Sequence, residues 1–406
     1  MSPRRRVVAV FLTALVLRLG FLAFWNGTPF APDTVTYLSV ADNVAAGRGF
    51  MTSGTEPESN RAPLYPLLLA GVRRAFGESP TPVLAVQCLL DALTAVWVLL
   101  LAAELAGPRA GLAAGLLYAA QPIFIGYTHW LLSESFFFDL WFLSLALTAR
   151  AWKARSASGF AGAGAALGLA VLCRPAHMFY PALIVLALAL SPFPRKRAAA
   201  CAAAFCAGFV LLLSPWTARN WLRFHKLIPV VTGGGNAWYA GSLPDSQFPS
   251  AEDVKAAVGG GIDPFSPEGD AILGRLAKRN WKEHGPALLA RMPVRLVRFW
   301  VTSHCSVFSM DRTNADYRAR GQWGALAVKS VLLGLQVLIL AGGFWGAWAL
   351  RRRWREGLLL LLLPAAYASL HIFNDYKPNR YHLTALPCLW TLFFWAWHER
   401  RAVSRR

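Results

Sequence analysis

Apolar runs recur along the chain, at about residues 7–25, 81–103, 110–128, 131–149, 159–173, 177–191, 198–214, 325–350, 357–373 and 381–398. A helix crossing the hydrocarbon of a bilayer needs about 20 apolar residues. The pattern therefore predicts an all-α polytopic membrane protein with about ten transmembrane helices. Three stretches lie between spans: 26–80, the tight turn 121–135 joining the third and fourth runs, and 215–322. In the first, a helix begun near Pro32 would put Thr36, Ser39 and Asn43 on one side, with Val35, Leu38, Ala41 and Ala45 facing elsewhere. Such a helix lies in the membrane interface rather than across it. In the third, Arg291, Arg295 and Arg298 recur at helical spacing beside Leu288, Leu289, Met292, Leu296 and Trp300, which predicts a basic interfacial helix.

Composition sharpens the class. Hydrophobic residues make up 56% of the 406 and charged residues only 15%, against roughly 25% charged in soluble domains. The net charge of +20 points to nucleic acid until its location is considered. Arg4–Arg6, Lys153/Arg155, Arg195–Arg197, Arg351–Arg353/Arg355 and Arg400–Arg406 all fall on one side of a ten-span map. That is the positive-inside pattern. It excludes a nucleic-acid role, predicts a multi-pass plasma-membrane protein with both termini cytoplasmic, and turns the three polar stretches outward. The expected organisation is a membrane domain over 1–214 with external loops at 26–80 and 121–135. An external region with interfacial helices follows over 215–322, then C-terminal transmembrane helices over 323–406. Six cysteines without a CxxC pair, all but Cys305 in or at spans, argue against a disulfide framework or structural zinc.

Charges inside a membrane are costly, so each is paired or functional. Arg18, Asp91 and Asp139 fall at similar depth in spans one, two and four, and read as a structural cluster tying these spans together. A proton relay is the functional alternative. Asp33, at the head of Ala31-Pro32-Asp33-Thr34-Val35-Thr36-Tyr37, and Glu134, in Ser133-Glu134-Ser135, lie instead at the outer rim. Arg61, Arg174, Arg219 and Arg380 surround them there. Guanidinium groups bind phosphate oxygens in bidentate fashion, so four beside two acids suggest a phosphate site facing a carboxylate site. The run Thr232-Gly233-Gly234-Gly235-Asn236 matches neither dinucleotide nor P-loop spacing, and reads as a backbone turn.

These motifs in this order resemble the GT-C glycosyltransferases, specifically the protein O-mannosyltransferase and aminoarabinose transferase superfamily. Asp33 with Tyr37, Gly47, Gly49 and Arg61-Ala62-Pro63-Leu64-Tyr65-Pro66 is similar to the family's first external loop. Glu134 is similar to its second-loop acid. Cys173-Arg174-Pro175 is similar to its Arg-Pro motif, and Pro215-Trp216-Thr217-Ala218-Arg219-Asn220 to its Pro-Trp-x-x-Arg-Asn segment. Arg380-Tyr381-His382 through Pro387 resembles the opening of a late family span. Asp33 is followed by Thr34 where many members have adjacent acids, and the span count is lower than in larger members. The resemblance implies a GT-C-like fold and transfer of a sugar from a polyprenyl-phosphate donor to an acceptor hydroxyl on the extracytoplasmic face. Asp33 would be the general base, assisted by Glu134. Tyr37, Arg61, Tyr65, Arg174, Arg219, Asn220 and Arg380 would bind substrate. No cofactor is assigned, a divalent cation being the one candidate. The expected partners are the lipid-linked sugar donor, membrane lipids, and a glycan, lipid or protein acceptor. The rival reading is a polyprenyl-lipid or head-group transporter built on Arg18, Asp91 and Asp139.

Overall fold

The computed structural model describes residues 1–52, 57–243, 249–374 and 380–403. Among them the chain is helical, without a strand; one isolated antiparallel bridge joins Met51 and Pro57. The helices are α1 (Pro3–Phe24), α2 (Pro32–Ala45), α3 (Leu64–Phe76), α4 (Pro80–Ala106), α5 (Pro108–Ala120), α6 (Pro122–Tyr127), α7 (Glu134–Ala154), α8 (Ala157–Cys173) and α9 (Tyr180–Leu190). They continue with α10 (Arg195–Phe224), α11 (Gly234–Gly241), α12 (Ala251–Val258), α13 (Pro267–Trp300), α14 (Asn314–Ala319), α15 (Trp323–Ala349), α16 (Leu358–Asn374) and α17 (Leu386–Val403). Every apolar run of the sequence coincides with a helix. Four of these, α1, α4, α10 and α15, are long and apolar enough to cross a membrane by length and composition alone. Others are cut short by local chemistry: Pro122 ends the third run as one helix, so it splits into α5 and α6.

The stretches between the spans fold largely into further helices. Helix α2 starts where expected, its first turn pinned by Thr34, whose Oγ1 accepts from Ala31 N and donates to Leu131 O. Helix α13 is longer than the pattern predicts, and its three arginines do not act alike. Arg295 is buried and its Nη1 donates to Gly241 O at 2.8 Å. Leu289, Val294 and Val297 are instead exposed. One arginine thus fixes the helix inward and leaves an apolar face outward.

Close backbone contact holds the spans. A Cβ on Gly164 would come 2.0 Å from Phe205 O, and one on Gly208 would come 2.1 Å from Ala161 O. Helices α8 and α10 therefore meet at a pair of glycines, a packing mode suited to lipid, where the hydrophobic effect gives helices no drive to associate. Helix α17 packs on α4, α5 and α15, which joins the C-terminal helices to the earlier part of the bundle.

The intramembrane charges separate into two arrangements. Arg18 Nε pairs with Asp91 Oδ2, Tyr118 OH donates to Asp91 Oδ1 at 2.6 Å, and Arg18 Nη1 donates to Ala119 O at 2.9 Å. This ties α1 to α4 and α5. Asp139 does not join it: one of its oxygens accepts from Trp97 Nε1 at 2.8 Å. The expected three-way cluster is thus a pair plus a separate carboxyl, because equal depth on different helices does not make side chains face one another.

Basic and catalytic candidates lie at opposite ends of the helices. Lys153 pairs with Glu104, Arg197 Nε donates to Arg155 O, and Arg353 pairs with Glu399, all at one end. Asp33, Glu134, Arg174 and Arg380 sit at the other. Asp91→Ala should lower stability by roughly 3–5 kcal/mol, since it leaves Arg18 buried without its partner. Asp139→Asn should cost about 1–2 kcal/mol, as only one neutral-donor contact changes. Thermal unfolding in detergent measures both, and an equal loss would restore the three-way cluster.

Candidate active site

The site is assembled from five segments. Asp33 lies in the first turn of α2, where the helix N-terminus favours a carboxylate. Arg61 follows a strap in which Thr232 N donates to Ser59 O at 2.8 Å. Glu134 is the first residue of α7, and Arg174 caps the end of α8 in an extended conformation. Arg380 opens the short turn before α17. That turn is braced from behind: His382 Nε2 lies 3.0 Å from His304 Nε2 and 3.1 Å from Gln336 Nε2.

These five side chains form one alternating row. Arg61 Nη2 lies 3.1 Å from Asp33 Oδ1, and Arg380 Nη2 lies 3.3 Å from Asp33 Oδ2. Arg380 also reaches Glu134 Oε1 through its Nε at 2.6 Å, and Arg174 Nη1 reaches the same oxygen at 2.5 Å. Aromatic rings support the row: Arg61 lies over Tyr37 and Arg174 over Tyr381, 5.2 and 5.0 Å from the ring centroids. The row borders a cavity of about 540 Å³, whose lining includes Asp33, Tyr37, Arg61, Arg174, Arg380 and Tyr381.

Electrostatics distinguish the two acids. Asp33 is 37% exposed; Glu134 is 2% exposed and does not line the cavity. Burial works to raise the Asp33 carboxyl, but Arg61, Arg380 and Arg174 together outweigh it and hold it below its ordinary value. Burial pushes the Tyr37 phenol up, keeping it a neutral hydroxyl. Asp33 is thus the accessible carboxylate, and Glu134 the buried one that fixes Arg174 and Arg380 from behind. A divalent cation does not fit this donor set. Both Asp33 oxygens face guanidinium groups, and among the described residues no group of three His, Cys, Asp or Glu could hold a metal.

The other expected site residues are placed differently. Tyr65 is fully buried behind Tyr37, its OH donating to Gln87 Oε1 at 2.7 Å. Arg219 does not line the cavity. Its Nη1 donates to Glu58 O and its Nη2 to Phe50 O, and it stacks on Trp216. Asn220 is fully buried and donates to Ile228 O and Val230 O. Both residues clamp loops onto the end of α10. Nothing in a Pro-Trp-x-x-Arg-Asn string distinguishes a guanidinium aimed at a ligand from one aimed at carbonyls. Two further residues belong to the site: Tyr381 beneath Arg174, and Ser133, whose Oγ lies 3.4 Å from both Tyr37 OH and Arg174 Nη1. Their signal was adjacency, Tyr381 following Arg380 and Ser133 preceding Glu134.

Residues 60–218 match the family model of dolichyl-phosphate-mannose-protein mannosyltransferases. No curated protein matches the chain in sequence. The oligosaccharyltransferase of Archaeoglobus fulgidus, in complex with Zn and sulfate, aligns over 98% of this chain and 50% of its own. The TM-score is 0.58 at 14% identity. The AglB oligosaccharyltransferase from Archaeoglobus fulgidus, in complex with an inhibitory peptide and a dolichol-phosphate, aligns over 99% and 51%, with a TM-score of 0.59 at 15% identity. This is the GT-C glycosyltransferase fold. The chain spans about half the length of those oligosaccharyltransferase structures. ArnT from Cupriavidus metallidurans bound to undecaprenyl phosphate aligns over 96% of this chain and 78% of its own, with a TM-score of 0.46 at 16% identity.

Within this GT-C fold the cavity arginines and the clamp arginine should separate on mutation. Arg219→Ala should lower thermal stability by roughly 1.5–3 kcal/mol through lost charge-assisted hydrogen bonds, while anion binding in the cavity changes little. Arg174→Ala should weaken anion binding, with Arg174→Lys recovering only part, because Lys lacks the bidentate fork. Equal losses of anion affinity in Arg219→Ala and Arg174→Ala would return Arg219 to the cavity.

Proposed function

We propose that the protein is an integral membrane glycosyltransferase that moves a sugar from a polyprenyl-phosphate donor to an acceptor hydroxyl on the extracytoplasmic face. The observation that carries this reading is the alternating row bordering the cavity. Three guanidinium groups, Arg61, Arg174 and Arg380, stand against two carboxylates, Asp33 and Glu134, which leaves one positive charge in excess. An excess cation beside an accessible carboxylate suits a reaction with an anionic leaving group and a proton to be removed. The mannosyltransferase family match over 60–218 and the dolichol-phosphate in the AglB structure support a lipid-phosphate ligand.

In the proposed reaction the acceptor oxygen attacks the anomeric carbon as its proton passes to Asp33. The bond between that carbon and the phosphate oxygen breaks, and its electron pair leaves with the polyprenyl phosphate. General-base catalysis of this kind contributes about 10²–10⁴-fold. Fixed cations at the departing oxygen stabilise charge as it develops. Arg174 and Arg380 suit that role, held by the buried Glu134. Arg61 and Tyr37 complete the donor side, with a glycan, lipid or protein acceptor opposite. A lipid-linked donor keeps its tail among membrane lipids. The transporter reading loses support because Arg18 and Asp91 are sealed against each other, Tyr118 and Ala119 at 0–1% exposure.

Asp33→Asn should reduce transfer from a polyprenyl-phosphate sugar by about 10²–10⁴-fold without weakening donor affinity. Unchanged turnover in the purified variant would remove Asp33 as base. Because Asp33 is held below its ordinary value, the base form persists as pH falls through the ordinary carboxylate range and is lost only below it. Arg61→Ala or Arg380→Ala removes a lowering influence, so the acid limb of kcat/KM should move to higher pH. A limb that stays in place would mean another group titrates.

Orientation is tested separately. A cysteine at the exposed Ser250 should react with a membrane-impermeant thiol reagent in intact cells, and one at the exposed Ser158 only after permeabilisation. The reverse result would put Asp33 in the cytoplasm, where nucleotide sugars rather than lipid-linked ones are at hand.

A further inference from the structure

The glycine run beside the cavity contains two residues that the fold requires and one that it does not. Gly233 has φ +103°, and a Cβ there would lie 2.7 Å from Asn60 Oδ1. A Cβ on Gly235 would lie 2.0 Å from the Asp270 carbonyl oxygen. Gly234 is different: it is the first residue of α11, its φ is ordinary, and a Cβ there would meet nothing within 4 Å. A helical position with room for a side chain loses stability by keeping glycine, which surrenders more backbone entropy on folding. Packing and backbone geometry therefore give no reason for its bareness. Its location does, because Gly234 lines the same cavity as Asp33, Arg61, Arg174 and Arg380.

The wall that Gly234 belongs to is firm, and the residues it turns to the cavity carry no charge. Asp270 Oδ1 accepts from Gly233 N, Gly235 N and Asn236 N at 2.9, 2.8 and 3.2 Å. Thr232 Oγ1 donates to Phe265 O at 2.7 Å. Pro229, Val231, Thr232 and Ala237 continue the wall, whereas the guanidinium groups are contributed by other segments. A ligand with one anionic and one neutral polar part would set the anion toward the arginines and leave the neutral part for this wall.

We propose that Gly234 determines the size of sugar the cavity accepts, its bare backbone being the surface against which the sugar ring of a lipid-linked donor lies. This rests on the polyprenyl-phosphate-sugar reading above. A side chain at 234 takes space from the sugar and leaves the phosphate's contacts in place. Discrimination of this steric kind is worth roughly 10–200-fold per methylene in a fitted pocket.

The test is a series, Gly234→Ala, Gly234→Val and Gly234→Leu, in the full-length protein. Affinity is measured without acceptor for dolichyl phosphate and for dolichyl-phosphate mannose. Thermal unfolding should show each variant as stable as the parent or more so. Affinity for dolichyl phosphate should stay within about twofold, while affinity for the mannosyl lipid falls in steps with side-chain size, by roughly tenfold or more at Gly234→Leu. Should that variant fail to fold, the Gly234→Ala and Gly234→Val ratios decide in the same way. Equal affinities for both lipids across the series, or equal losses for both, would overturn the proposal. A parent protein that binds neither lipid would instead sink the polyprenyl-phosphate reading itself.

Discussion

Carboxylates at the edge of a membrane domain persist only with cations beside them, and this requirement shapes the end of the molecule that holds Asp33 and Glu134. Arg380 meets it for both acids at once, reaching Asp33 through Nη2 and Glu134 through Nε. Arg61 and Arg174 close the row at either end. The five residues come from α2 and the loop after it, the start of α7, the end of α8 and the turn before α17. Folding α17 onto α4 and α5 is thus inseparable from neutralising these charges. Removing one partner from a buried pair costs about 3–5 kcal/mol, a cost that falls chiefly on the Arg174–Glu134 contact, the most buried in the row.

The large region between α10 and α15 has its structural sense in the same row. Arg61 stands on the loop between α2 and α3. That loop is held from outside: Arg219 binds the carbonyls of Phe50 and Glu58, and Thr232 N binds that of Ser59. Thr232 is fixed in turn by Phe265, and the glycine run by Asp270. Residues distant in sequence thereby set where one guanidinium sits relative to Asp33. Arg219 contributes to the cavity without touching it.

Much of this was legible in the chain. Helical spans announce themselves by apolar length, and all ten candidate runs fall on helices. Asp33, Arg61, Arg174 and Arg380 were separable from ordinary interfacial charges because they gather on one side of the ten-span map, a property of topology rather than of any one motif. What stayed hidden was direction. Arg219 and Asn220 sit in the Pro-Trp-x-x-Arg-Asn string yet turn toward carbonyls. Asp139 shares a depth with Asp91 but faces Trp97. Arg295 shares a spacing with Arg291 and Arg298 but points inward to Gly241. Spacing along one helix yields a face; which neighbour that face meets is decided by helices elsewhere in the chain.

The electrostatics of the row tie proton affinity to anion occupancy. Asp33 is held ionised chiefly against the effect of its own burial, by Arg61, Arg380 and Arg174 in that order. An opposite charge lowers a carboxyl's pKa by favouring its ionised form. Any anion that settles among the same guanidinium groups supplies a like charge and draws on the same donors. Both effects raise the proton affinity of Asp33. An empty cavity therefore keeps Asp33 a weak base protected from protonation, and an anion bound beside it makes the carboxylate a stronger one. A single set of arginines couples the two functions without any moving part.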